Sequence, residues 1–210
     1  MFKNLAGKFI SFEGTEGAGK TTLIAQIKTM LEAESLNVLT TREPGGTDVG
    51  EEIREVLLAH RKVDLTSDTE LLLFAAGRAQ HIEEKIKPAI LNNYCVLCDR
   101  FTDASSAYQG AGRGIDADRI AQLEAWVLQS FRPDVVVVVD IPVDVGFARV
   151  RKRGELDRIE SQEADFFERI RQYYLKKAKD EPSRYLVLNG EQHINLVANE
   201  FWDKINAYIK

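Results

Sequence analysis

The chain has 210 residues, of which 44% are hydrophobic and 29% charged, and its formal net charge is −5. This length suits one domain with a substantial core, and the composition is that of an ordinary globular protein. The acidic balance argues against a protein whose main role is to bind nucleic acid or an anionic membrane. No apolar stretch approaches a membrane span and the N-terminus is too polar for a signal peptide, so we expect a cytoplasmic protein.

The first predicted strand, residues 8–12, leads into a glycine-rich loop that is followed by helical spacing of apolar residues. The loop fits the phosphate-loop pattern of glycine, four residues, then Gly-Lys-Thr, and it consists of Gly14, Thr15, Glu16, Gly17, Ala18, Gly19, Lys20, Thr21 and Thr22. The N–H groups of such a loop, together with the N-terminus of the next helix, attract phosphates. The sequence therefore predicts a nucleoside triphosphate site, with Lys20 on the β- and γ-phosphates and Thr21 on Mg²⁺.

The rest of the chain alternates between strand and helix patterns. Further strands are predicted at 36–42, 95–99, 135–139 and 184–188, and helical spacing follows each of them. Pro88 predicts a break or kink near Lys87, and the polar, glycine-containing segment 101–114 does not resemble a core element. Asp116 is a candidate helix cap, and Pro142 is a candidate for the first position of a helix.

Five consecutive valines, residues 135–139, indicate a strand that is buried on both faces. Burial on both faces is typical of a parallel sheet covered by helices. We therefore predict an α/β protein of the P-loop NTPase fold, with a five-stranded, doubly wound parallel sheet and helices on both faces. No linker or internal repeat divides the chain, so residues 1–210 are predicted to form a single domain.

The two cysteines, Cys95 and Cys98, have the Cys-x-x-Cys spacing of redox pairs and zinc sites. They lie in a predicted buried strand, where residues three apart point to opposite faces and their sulfurs diverge. No second cysteine pair exists and the three histidines are scattered. We interpret both cysteines as small core residues.

An aspartate and an arginine follow the third predicted strand, where an open α/β sheet places its ligands. Asp99 can assist Mg²⁺ there, directly or through water, and Arg100 can hold a second anion with two hydrogen bonds. The alternative is a simple ion pair at the end of the strand.

Two further arginine-containing stretches suggest ligand contacts. Phe74 and Arg78 lie four residues apart on one helix face, where a ring and a guanidinium would together read a nucleobase. A core phenylalanine beside a surface arginine explains the same pair. The basic run 149–158 is typical of a solvated face, but beside a phosphate loop it predicts a mobile lid, at about 149–160, that closes on ATP.

Several ordered blocks over nearly the whole chain resemble the bacterial thymidylate kinase family. They read FEGTEGAGKTT at 12–22, TREPGGT at 41–47, FAAGR at 74–78, DRF at 99–101, AYQG at 107–110, GRG at 112–114 and RGELDR at 153–158. Blocks in register are far more specific than any one of them alone. The resemblance implies transfer of the γ-phosphate of ATP to dTMP, giving dTDP, with Mg²⁺ and usually as a homodimer.

The resemblance also implies roles for individual residues. Phe74 would stack on thymine, and Arg78 and Gln109 would read its O4 and N3 edge. Arg100 and Arg54 would hold the dTMP phosphate. The dTMP pocket would be completed by Glu16, which faces the sugar, and by Glu43, Ser105 and Tyr108. The lid would contribute Arg153 to catalysis and Arg149 to ATP binding.

The family splits by the position of its catalytic arginine, in the phosphate loop or in the lid. Here the loop carries Glu16 and the lid is rich in arginine, which resembles the lid-arginine type. Two departures, Phe101 where tyrosine is frequent and Ser105 where threonine is frequent, affect only the fine shape of the pocket. The rival hypotheses are a kinase for another nucleotide and a P-loop switch or assembly ATPase, although no Asn-Lys-x-Asp guanine reader occurs.

Overall fold

The computed structural model describes residues 3–152 and 157–209. Its sheet contains β1 (Phe9–Glu13), β2 (Val38–Arg42), β3 (Cys95–Asp99), β4 (Val135–Asp140) and β5 (Tyr185–Asn189). The strands are all parallel and follow the order β2-β3-β1-β4-β5. The predicted five-stranded parallel sheet is confirmed. Because β1 is central, the loop after it emerges at the carboxyl edge between two neighbours, where such sheets bind ligands.

Helices connect the strands and cover both faces of the sheet. Those in the described part are α1 (Lys20–Ala33), α2 (Asp48–Leu58), α3 (Ser67–His81), α4 (Lys87–Leu91), α5 (Thr102–Ser105), α6 (Ala117–Leu128), α7 (Val143–Arg151), α8 (Ala164–Asp180) and α9 (Ile194–Ile205). As predicted, the Asp116 side chain caps α6, accepting from the N–H groups of Asp118 and Arg119. Pro142 precedes α7 by one residue rather than opening it. Within 3–152 and 157–209, no helix is long and apolar enough to span a membrane.

The valine run of β4 lies at the centre of the core, as predicted. Val135, Val137 and Val139 pack on one face, against α1 and α9. Val136 and Val138 pack on the other face, against α8. All five valines are at most 1% exposed, so the alternation of side chains along the strand fills both layers of the protein.

Cys95 and Cys98 are both free and buried, which confirms their interpretation as core residues. Cys95 packs in the cluster with α1, whereas Cys98 packs on the opposite face with Phe9 and Phe101. Burial raises the pKa of the Cys95 thiol to about 12. Both positions therefore behave as small apolar side chains.

The helix around Pro88 changes its winding but is not interrupted. After α3, residues Ile82–Ile86 form a π-helical turn, and α4 carries Pro88 in its first turn. The N–H of Lys87 bonds to the carbonyl of Ile82, five residues back. Because proline cannot donate and its ring crowds the preceding turn, the wider turn accommodates the residue that was expected to break or kink the helix.

Segment 101–114 was expected to lie outside the core, and that expectation was wrong. It forms α5 and a π-helical segment, Ser106–Gly112, that packs against α8. Phe101, Ala107 and Gln109 in this segment are at most 1% exposed. Its polar residues are buried because they line a cavity and bond to other buried polar groups, which a hydrophobicity pattern does not reveal.

Candidate active site

The phosphate loop follows β1 and ends where α1 begins. Gly17 has a φ of +74°, and a Cβ there would approach the carbonyl oxygen of Gly146 to 2.3 Å. Glycine is required at this position because the N-terminal half of α7 packs directly against the loop. The loop is thereby shaped by its neighbours. Its position at the N-terminus of α1 is the arrangement that the predicted anion site requires.

The side chain of Lys20 folds back over the loop. Its Nζ donates to the carbonyl oxygens of Gly14 and Thr15, each at 3.1 Å, and the residue is only 6% exposed. Burial, followed by the positive charge of Arg100, lowers the pKa of Lys20. Two neighbouring cations with few solvent contacts create a site that favours an anionic ligand.

Thr21 and Asp99 are 78 positions apart in sequence and adjacent in space. The Thr21 hydroxyl donates to Asp99 Oδ2 at 2.7 Å, and both residues line the same cavity. A hydroxyl and a carboxylate oxygen are hard ligands of the kind that Mg²⁺ prefers when phosphates and water supply the rest of its shell. The pair therefore fits the predicted metal site, and the described residues form no larger cluster of metal-ligating side chains.

Arg100 lies directly against the phosphate loop. Its Nη1 donates to the carbonyl oxygen of Gly14 at 3.0 Å, its Nη2 pairs with Glu16 Oε1 at 2.5 Å, and its guanidinium covers the ring of Tyr108. The Tyr108 hydroxyl donates to the same Glu16 oxygen at 3.0 Å. Arg100 thus forms its ion pair with Glu16 of the phosphate loop, which lines the same cavity.

The backbone of Arg100 adopts a φ of +70°, in the left-handed region that favours glycine. Its N–H continues the ladder to the carbonyl of Phe12, so the residue is held in this conformation by the sheet. A non-glycine residue in this region costs about 1–3 kcal/mol. The conformation directs the side chain toward the loop that follows β1, the neighbouring strand.

A second arginine, Arg54 of α2, lines the cavity and donates to the carbonyl oxygen of Pro44 at 2.9 Å. Burial, followed by the charge of Arg42, lowers the pKa of Arg54. Arg149, in the last turn of α7, donates to Gly190 at 2.9 Å and to Gly17 at 3.3 Å through their carbonyl oxygens. Both arginines are therefore close to where phosphates would bind.

Arg78 is 3% exposed, so the alternative of a surface arginine beside a core phenylalanine is wrong. Its Nε donates to Glu43 Oε2 at 2.7 Å, its Nη1 to Ser105 Oγ at 3.0 Å and its Nη2 to the Phe101 carbonyl at 2.9 Å. Glu43 also contacts His81 Nδ1 through its other oxygen, at 3.0 Å. Glu43, predicted to bind dTMP, therefore already uses both oxygens to hold α3 residues.

One cavity of about 530 Å³ joins these groups. The predicted residues that line it are Glu16, Gly17, Ala18, Gly19, Lys20, Thr21, Thr22, Glu43, Arg54, Phe74, Arg78, Asp99, Arg100, Ser105, Tyr108, Gln109 and Arg149. Gly14 and Thr15 lie behind the lining, where their carbonyl oxygens hold Lys20 and Arg100. The fold thus brings together residues from the loop, α2, α3, β3 and the segment after it.

Comparison with known proteins identifies the family of the chain. The family model described as thymidylate kinase matches residues 12–201. The thymidylate kinase of Alcanivorax borkumensis is 50% identical over 93% of this chain and 94% of its own, and that of Pseudomonas putida is 48% identical over 93% of each.

The crystal structure of thymidylate kinase from Ehrlichia chaffeensis superposes with a TM-score of 0.77, at 33% identity, over 94% of this chain and 98% of its own.

The chain belongs to the thymidylate kinase family. Its fold is accordingly the P-loop NTPase fold that the sequence predicted.

The stretch that resembles a lid in this family is only partly described. Arg153 lies outside the described residues, as do Gly154, Glu155 and Leu156. Arg158 is buried, and it donates to the Leu57 carbonyl at 2.9 Å and to Glu70. The basic run is therefore not uniform, because its last arginine anchors the segment to the body of the protein.

Sequence reasoning missed Glu70, which is 1% exposed and bonds to Gln109, Arg113 and Arg158. It also missed His81, which is fully buried between Glu43 and Thr41. A signal was present, because Glu70, Phe74, Arg78 and His81 follow one another at helical spacing. Charged residues on the same helix face as the predicted base-reading pair indicate buried polar contacts and not a solvated surface.

Proposed function

We propose that this protein transfers the γ-phosphate of ATP to dTMP, giving ADP and dTDP. The observation that carries the proposal is one cavity lined by a phosphate loop, by a second cationic site at Arg54 and Arg100, and by Phe74, Arg78 and Gln109. A switch or assembly ATPase needs only the phosphate loop. Membership of the thymidylate kinase family points to the same acceptor.

On the ATP side, the loop N–H groups and Lys20 hold the β- and γ-phosphates, and Arg149 lies beside them. Thr21 and Asp99 would hold Mg²⁺, directly or through water. When bound, Mg²⁺ neutralises charge on the phosphate oxygens and orients them. The short distance between these two side chains supports this assignment.

On the dTMP side, Arg100 and Arg54 bind the acceptor phosphate, and Glu16 and Tyr108 approach the sugar. Phe74 stacks on the thymine ring, and Arg78, Ser105 and Gln109 contact the edge of the base. Glu43 acts through Arg78, because both of its oxygens are already engaged.

In the reaction, an oxygen of the dTMP phosphate forms a bond to the γ-phosphorus while the bond to the β-phosphate oxygen breaks. The nucleophile is already an anion, so no strong general base is required of the protein. The difficulty is bringing two negative groups together, and Lys20 and Arg100 supply compensating charge in a partly dry cavity. Catalysis by this site is positioning plus electrostatics.

An acceptor panel tests the function directly. In a coupled ADP assay with ATP and Mg²⁺, we expect dTMP to exceed dCMP, CMP and AMP by about 10²-fold or more in kcat/KM, because a wrong base edge leaves buried polar groups unpaired. A kinase for another nucleotide would prefer a different acceptor. Equal ADP release with and without any acceptor would overturn the kinase proposal in favour of a switch ATPase.

The lid prediction concerns Arg153, which lies outside the described residues. If Arg153 meets the transferring phosphoryl group only when the lid is closed, Arg153→Ala lowers kcat and kcat/KM together, by about 10²-fold, with little change in the KM for dTMP. Arg153→Lys recovers only part, since an ammonium lacks the planar fork. Steady-state kinetics measure the effect, and Arg151→Ala, at an exposed position, is the control. A kcat of Arg153→Ala within a few-fold of wild type would contradict the catalytic role of Arg153.

We also propose a homodimer formed through α2, α3 and α6, which pack side by side. Each exposes large apolar side chains there: Val49 (45% exposed), Val56 (40%), Leu72 (57%) and Trp126 (79%). Sedimentation velocity is expected to show a dimer that Leu72→Glu or Trp126→Glu converts to monomer, because a buried unpaired charge is costly at an interface. Leu196→Glu, on α9, should remain dimeric, and a monomeric wild type would refute the proposal.

A further inference from the structure

A buried carboxylate lies next to the base pocket without lining the cavity itself. Glu70 of α3 precedes Phe74 by four residues and is 1% exposed. Its Oε1 accepts from Gln109 Nε2 at 2.8 Å and from Arg113 Nε at 2.7 Å, and its Oε2 accepts from Arg113 Nη2 at 3.1 Å and from Arg158. In all four of these hydrogen bonds Glu70 is the acceptor.

Glu70 is ionised at neutral pH. Burial opposes its charge, but hydrogen bonds from Arg113 and Gln109 and the charge of Arg113 outweigh that effect and lower the pKa of Glu70. An ionised carboxylate only accepts hydrogen bonds. The group that it faces on each neighbour must therefore be a donor.

This requirement determines the orientation of the Gln109 side-chain amide. Its amide could in principle present either oxygen or nitrogen to a partner, and the two ends look alike to X-rays at ordinary resolution. Because Glu70 accepts only, the nitrogen of Gln109 must face Glu70, and the end left to face the cavity is the carbonyl oxygen. The base pocket therefore contains an acceptor at Gln109.

We propose that Glu70 is a positioning residue that determines pyrimidine specificity by locking the amide of Gln109 with its oxygen toward the base. The inference rests on the proposed function. Thymine N3–H donates to that oxygen, whereas N3 of cytosine is an acceptor and would be repelled by it. Glu43 orients Arg78, whose guanidinium is a donor in any orientation and would face thymine O4. The choice between donor and acceptor is therefore made only at Gln109.

The test is the ratio of kcat/KM for dTMP to that for dCMP in Glu70→Gln. Glu70→Gln keeps nearly the same shape but has only one oxygen, so its amide no longer requires a donor from Gln109, which can then turn and offer its nitrogen to cytosine. We expect the ratio to fall by about tenfold or more. A merely structural role would lower both kcat/KM values and leave their ratio unchanged.

The control is Asp103→Asn, which changes another buried carboxyl group that contacts Tyr185 and Arg184, and it should keep the wild-type ratio. Wild type without dTMP preference would overturn the proposed function, and this inference with it. Wild type with that preference and a Glu70→Gln ratio within about twofold of it would overturn the inference alone.

Because Glu70→Gln removes the charge that holds two arginines, its folding is checked by thermal unfolding. If it does not fold, neutron diffraction from wild-type crystals with dTMP decides the question. Deuterium on the Gln109 nitrogen facing Glu70 supports the inference, and a Gln109 carbonyl facing Glu70 overturns it.

Discussion

Replacing Lys20 with alanine is expected to abolish measurable phosphoryl transfer, a loss of about 10³-fold or more in kcat. The Lys20 ammonium is held over the loop by two backbone carbonyls and is shielded from water. Its charge is therefore in place before the γ-phosphate develops further negative charge. Arg100, which also bonds to the Gly14 carbonyl, is held by Glu16 and cannot replace Lys20 without rearrangement. A coupled ADP assay at saturating ATP and dTMP measures the loss.

The Lys20→Ala variant should unfold cooperatively at a temperature close to that of wild type. Burial lowers the pKa of Lys20, which means that the folded protein disfavours this charge in the absence of ligand. Lys28→Ala, two turns further along α1 and half-exposed, provides the matched control and should retain activity. Turnover of Lys20→Ala within a few-fold of the control would contradict the site assignment.

Arg100→Ala is expected to lower kcat/KM for dTMP by about 10³-fold, and to raise the KM for dTMP more than that for ATP. The guanidinium contacts Gly14 and Glu16 at once and lies over the Tyr108 ring. Its removal takes away the proposed phosphate anchor. It also removes positive charge beside Glu16, so that this carboxylate repels the acceptor phosphate more strongly. Arg100→Lys should recover little, because an ammonium cannot make two directed bonds and stack.

Two variants separate this effect from the backbone conformation. Arg100→Gly accepts the φ of +70° without strain, so it should be more stable than Arg100→Ala yet equally inactive. Arg171→Ala, which breaks a two-point ion pair with Asp140 at 2.7 and 3.0 Å, should keep activity within a few-fold. If Arg100→Gly were active, the role of Arg100 would be conformational and not electrostatic.

Much of the fold could be predicted because its signals are local. The five strands were each located within one or two residues, since β-rich runs such as 135–139 are short, apolar and followed by helical spacing. The phosphate loop was located because its chemistry depends on adjacent residues of one short segment. The segment 101–114 was misjudged because its polar residues are buried by tertiary contacts that no local pattern contains.

For the site, the sequence by itself determined which residue types are available: a phosphate loop, Asp99 and Arg100 after a strand, and Phe74 with Arg78 on a helix. Only the tertiary structure decided which groups meet. The contacts of Thr21 with Asp99 and of Glu70 with Gln109 join residues 78 and 39 positions apart. Such pairings depend on the order of the strands in the sheet and on which buried charges need a partner. Both are properties of the whole packed chain and not of any short segment.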